Sequence, residues 1–113
     1  MYNLNELAFE AMLENLKQVN NGNPFAKLAV DSVSYEYNRQ QYNDCLRHID
    51  AENNQITSLY NQISQRGGII TPQEQLELQR HIQLRGEYEM KSMKHFMSGG
   101  KDAGEIFNNF VRM

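Results

Sequence analysis

The stretch from Leu28 to Ile63, LAVDSVSYEYNRQQYNDCLRHIDAENNQITSLYNQI, contains neither glycine nor proline and carries a large apolar or aromatic residue at every seventh position: Leu28, Tyr35, Tyr42, Ile49, Ile56 and Ile63. A seven-residue repeat of this kind keeps one face of a long helix turned toward a partner helix. The same stretch has a second row that is far less apolar. Asp31 or Ser32, Asn38 or Arg39, and Glu52 or Asn53 occupy it, and only Cys45 or Leu46 and Leu59 or Tyr60 supply bulk. A free-standing two-stranded coiled coil wants leucine in that row. The repeat therefore predicts one arm of an intramolecular hairpin, packed against Leu76 to Met97, with the unsatisfied remainder of the seam left for other subunits.

Punctuation on either side of the stretch sets its limits. Upstream, Asn20-Asn21-Gly22-Asn23 is a loop, Asn23 a helix cap and Pro24 a first-position proline whose missing N–H costs nothing. Downstream, Gly67-Gly68 ends the helix, the first glycine being suited to a left-handed cap. Thr71-Pro72-Gln73-Glu74 then restarts it with a capping box and another first-position proline. The predicted helices span 24–66 and 72–98, and the short link between them favours an antiparallel pair. Before them, Asn3 and Glu6 form a capping box that opens a helix over 4–19, with Phe9, Met12, Leu13 and Leu16 on its apolar side. After them, Gly99-Gly100 is expected to interrupt the chain. Asp102 and Glu105 then cap a C-terminal helix over 103–111 that carries Ile106, Phe107, Phe110 and Val111. The expected architecture is all-α and one domain over 1–113: a long antiparallel helical hairpin with a short N-terminal helix and a short C-terminal helical tail. Aromatics so close to a terminus seldom dangle, and the tail either folds back on the core or docks into a neighbour as an assembly element.

Composition narrows the function classes. A chain of 113 residues buries about two-thirds of its unfolded surface, so partners would help it. Net charge is −3, and the segment from Pro72 onward holds six basic and six acidic residues, so no basic region exists to attract nucleic acid or an anionic membrane. Asn and Gln supply 23 residues, giving uncharged polar helix faces. No apolar run approaches the ~18 residues needed to cross a bilayer, so no direct transmembrane span is expected. The opening MYNLNELAFE has no basic patch followed by an apolar run and a cleavage site. The expectation is synthesis in the cytoplasm without a cleavable signal peptide. A single cysteine, Cys45, excludes an internal disulfide and reads as a small buried hydrophobe.

The sequence carries no recognisable catalytic or ligand motif. A di-iron bundle needs Glu three residues before His, whereas Cys45, Leu78 and Ser92 precede His48, His81 and His95 at that distance. Glu77 and His81 are four apart and read as a solvated surface contact. No phosphate loop, nucleophile elbow or zincin pattern is present. The expectation is a non-enzymatic protein with no cofactor and no metal. Two stripes stand out without deciding function. Met90, Met93 and Met97 lie along one side of a helix and read as core. Glu6, Glu10 and Glu14 read as a solvated acidic face whose mutual repulsion a basic partner surface would offset.

From Pro72 onward the pattern Pro72, Gln79, Ile82, Tyr88, Lys101-Asp102 and Ile106-Phe107-Asn108-Asn109-Phe110 resembles the C-terminal helix of type III secretion needle and inner-rod subunits. In that family a helical hairpin turns at a proline-containing loop, a glutamine, an apolar residue and a tyrosine recur at similar offsets, and some members end in lysine-aspartate, an apolar pair and asparagine-phenylalanine. The resemblance spans Pro72 to Phe110, while the first 66 residues lie outside it. It implies a small exported subunit that polymerises at a cell-envelope secretion apparatus, its C-terminal helix packed near the channel, without catalysis. The alternative class is a small helical binding protein acting as a discrete oligomer: a secretion chaperone, a phage-encoded inhibitor or a virion component. Both classes work through protein partners or self-association.

Overall fold

The computed structural model describes residues 4–112 and contains three helices: α1 (Leu4–Val19), α2 (Pro24–Gln65) and α3 (Pro72–Arg112). The chain is an all-α, elongated hairpin of α2 and α3 with α1 laid along it, measuring 66 × 27 × 13 Å. The expected cap Asn3 lies outside the described residues.

Local signals set the ends of α2 and the start of α3. The Asn23 side chain accepts a hydrogen bond from the Ala26 N–H at 3.2 Å, and Pro24 follows it at the first helical position. At the far end Gly67 and Gly68 adopt φ of 81° and 85°. Their N–H groups bond Ser64 O and Ile63 O at 3.0 Å each, which is the double closure of a Schellman turn. Thr71 and Glu74 bond reciprocally: Glu74 N–H donates to Thr71 Oγ1 at 3.2 Å, and Thr71 N–H donates to Glu74 Oε1 at 3.0 Å. Arg66 reaches across the turn to the same Glu74 carboxylate and to Ile69 O.

Antiparallel order shows in the pairs that bridge α2 and α3. Glu52 meets His81, Asn38 meets His95, Lys27 meets Glu105 and Pro24 O meets Asn109 in succession away from the turn. One boundary differs from expectation. Gly99-Gly100 does not break the chain, and the helices expected at 72–98 and 103–111 are a single helix. The tail is helical, as the sequence suggests, but it is the continuation of α3. Each mid-helix glycine costs about 1 kcal/mol relative to alanine. Against that, α3 is anchored on both sides of the glycines, by His95 before them and by Asp102, Glu105 and Asn109 after them. Asp102 thus points into the seam instead of capping a new helix.

The seven-residue row of α2 rotates relative to the interface. Ile56 and Ile63 are buried, Leu28, Tyr42 and Ile49 are half-buried, and Tyr35 is 39 % exposed. An α-helix that is not supercoiled drifts about 20° per heptad against a strict seven-residue repeat, or about 100° over five heptads. The row that starts beside the interface therefore enters it only near the turn. In the other half of α2 the interface is held by the second row, Asp31, Asn38 and Cys45, with Ser34 beside it.

Candidate functional site

Those second-row residues build a hydrogen-bonded polar seam where the three helices meet. Asp102 of α3 is 1 % exposed and accepts from Lys17 Nζ of α1 at 2.6 Å, from Ser34 Oγ at 2.6 Å and from Asn38 Nδ2 at 3.1 Å. Because the Asn38 amide nitrogen donates to Asp102 and to Ser34 O, its Oδ1 is the acceptor toward His95 Nδ1, 2.7 Å away. That assignment makes Nδ1 a protonated nitrogen of His95, donating to Asn38. Its Nε2 is buried and has no hydrogen-bond partner among the described residues. Burial pushes the His95 pKa below the ordinary imidazole value; Lys94 and Lys91 act in the same direction, and Glu10 and Glu6 oppose them. For Lys17, burial favours the neutral form, but the hydrogen bond and charge of Asp102 outweigh it and raise the pKa.

Charge also holds α1 in place. Lys91 pairs with Glu6 at 2.9 Å, Lys94 with Glu10 at 2.5 Å, and the Tyr37 hydroxyl donates to Glu10 at 3.1 Å. Burial, followed by the Glu10 carboxylate, drives the Tyr37 phenol far above its usual range. The acidic stripe expected to be solvated is thus met by α3 of the same chain at Glu6 and Glu10. Only Leu13 of α1 is fully buried, and Phe9 leans on Tyr37 at a ring distance of 4.8 Å. Nearer the turn, His81 bonds Glu52 of α2 at 2.5 Å in place of a contact with Glu77, and His48 stacks on Tyr88 at 4.4 Å. Cys45 is buried, and burial raises its thiol pKa. Among the described residues no group of three or more His, Cys, Asp or Glu is arranged to hold a metal ion.

The outward face of α3 has the opposite character. Met90, Met93 and Met97, expected in the core, are exposed, and so are Phe96, Phe107, Phe110 and Val111, at 64 to 75 % each. Ile106 is half-buried. Met90, Met93, Met97, Gly100, Gly104, Phe107 and Val111 follow one another at alternating spacings of three and four, a continuous stripe without a charged residue. It lies opposite the row Lys91, His95 and Asp102 that faces the seam. The helix is therefore polar toward its own chain and apolar toward the outside. Exposing seven large side chains by about two-thirds amounts to on the order of 900 Å², where the largest apolar patch on a typical monomer is about 300–600 Å². No helix among the described residues is long and apolar enough to cross a membrane.

Asp31, Ser34, Asn38, His95 and Asp102 were not singled out by sequence reading as a functional group. Their signal is a pair of matching polar rows, Asp31 and Asn38 on α2 and Lys91, His95 and Asp102 on α3, each at helical spacing. Comparison with known protein families, characterised proteins and solved structures returns no match for this chain.

Proposed function

We propose that this chain is a non-enzymatic helical subunit of a larger protein assembly, resembling a type III secretion inner-rod or needle component that polymerises through helix packing. The observation that carries the reading is the exposed apolar face of α3, larger than a lone monomer ordinarily leaves in water. The polar seam complements it. Hydrogen-bonded residues fix the register of the hairpin from within, and the large apolar side chains of the outward α3 stripe remain outside, where a neighbour can cover them. In this reading the chain is made in the cytoplasm and delivered to a cell-envelope secretion apparatus.

The test is the mass and shape of the purified chain as a function of concentration. An open-ended assembly gives mass that keeps rising with concentration and elongated particles by electron microscopy. A fixed oligomer that persists on dilution selects the discrete helical binding protein instead, and a monomer at every concentration removes both.

A further inference from the structure

The geometry points to an antiparallel pairing of the α3 face with the same face of a second copy of this chain, centred on Gly100. The inference rests on the reading of the chain as an assembly subunit and names the first contact that the assembly makes. Two features of the stripe from Met90 to Val111 support it.

The first is area. The five large side chains of the stripe expose roughly 600 Å² per copy, or about 1,200 Å² for a pair, which reaches the lower end of the range for a specific interface.

The second is the order of side-chain sizes. Methionines occupy one end, Gly100 and Gly104 the middle, and Phe107 and Val111 the other end. A Cβ at Gly100 or at Gly104 would meet nothing within 4 Å, so both glycines offer open backbone to a neighbour. Turning a second helix end for end about Gly100 sets Gly100 beside its own copy and Met97 beside the partner's Gly104. Met93 then lies beside the partner's Phe107, and Met90 beside the partner's Val111. Each large residue meets a small or complementary one, with thioether against aromatic ring at two symmetric places. A parallel pair in register would instead set methionine on methionine and phenylalanine on phenylalanine.

A two-fold contact of this kind is closed, so it makes a dimer the unit from which a longer assembly grows.

Cross-linking distinguishes the arrangements, using the full chain with Met93→Cys or Phe107→Cys. Both sites are exposed, and Cys45, at 2 % exposure, stays out of the reaction. In the antiparallel pair Met93 lies about 10 Å along the axis from Gly100, so its two copies are about 20 Å apart, while Met93 and the partner's Phe107 are neighbours. A short bismaleimide should link an equimolar mixture of the two variants into a species of twice 13.2 kDa, at least tenfold more than it links either variant alone. Efficient linking of Met93→Cys to itself would overturn the antiparallel arrangement in favour of a parallel one. A wild-type chain that assembles while the mixture fails to link would place the contact on another surface, leaving the assembly reading intact. A wild-type chain that stays monomeric would remove both.

Discussion

Replacing Asp102 with alanine should be among the most damaging single changes in the chain, although it removes only a carboxylate. Asp102 is 1 % exposed and is the common acceptor for donors from both other helices: Lys17 Nζ on α1, and Ser34 Oγ and Asn38 Nδ2 on α2. Asp102→Ala leaves a hydroxyl, an amide and an ammonium group without that acceptor. Removing one partner from a buried charged pair typically costs about 3–5 kcal/mol, because the charge left behind is uncompensated. For a domain near this size 1 kcal/mol moves the melting temperature by roughly 4 °C, so the expected fall is on the order of 10–20 °C. The assay is thermal unfolding followed by circular dichroism at low protein concentration, so that self-association contributes little. Asp102→Asn, which keeps an acceptor oxygen but loses the charge opposite Lys17, should fall between the variant and wild type. Phe110→Ser, on the exposed face, should leave the transition almost unmoved. If Asp102→Ala melts within about 2 °C of wild type, the Asp102 carboxylate does not hold the three helices together.

Other predictions follow from the same geometry. His95 is buried neutral with a depressed pKa, so the unfolded chain binds more protons between the folded-state pKa and the unfolded value of about 6.5. Its stabilising contribution is complete above about pH 6.5 and is lost as pH falls below that. Urea midpoints measured across this range should decline more steeply for wild type than for His95→Gln, and parallel curves would show that His95 is not buried. Rotation of the α2 row predicts unequal costs at two positions that are equivalent in the repeat: Ile56→Ala should lose about 2–4 kcal/mol in urea unfolding and Tyr35→Ala less than about 0.5. Equal losses would mean that α2 supercoils and keeps the whole row at the interface.

What the sequence made legible was local. Asn23 with Ala26, Gly67-Gly68 with Ile63 and Ser64, and Thr71 with Glu74 satisfy helix ends within five residues, so their chemistry can be read without knowing the tertiary structure. Gly99-Gly100 misled because its local cost is real, while the contacts that override it join Asp102 to Lys17 and Ser34, 85 and 68 residues away. The Leu28–Ile63 row was visible, but its drift out of the interface was not, since a strict repeat describes a helix only if that helix supercoils. The methionines misled for another reason. Assigning apolar rows to a chain's own interior presumes that the chain is its own only partner, and in α3 the row facing inward is Lys91, His95 and Asp102. The polar character of α2's second row, noted as a weakness for a coiled coil, was the visible trace of the seam.

The apolar face of α3 is expected to be covered by another copy in solution. Sedimentation velocity on wild type and on Met93→Glu, from micromolar to millimolar concentration, tests it most directly. The expected result is wild-type mass that climbs with concentration, together with a Met93→Glu variant of unchanged helicity held at 13.2 kDa throughout. A wild-type chain that remains at 13.2 kDa across the whole range would contradict it.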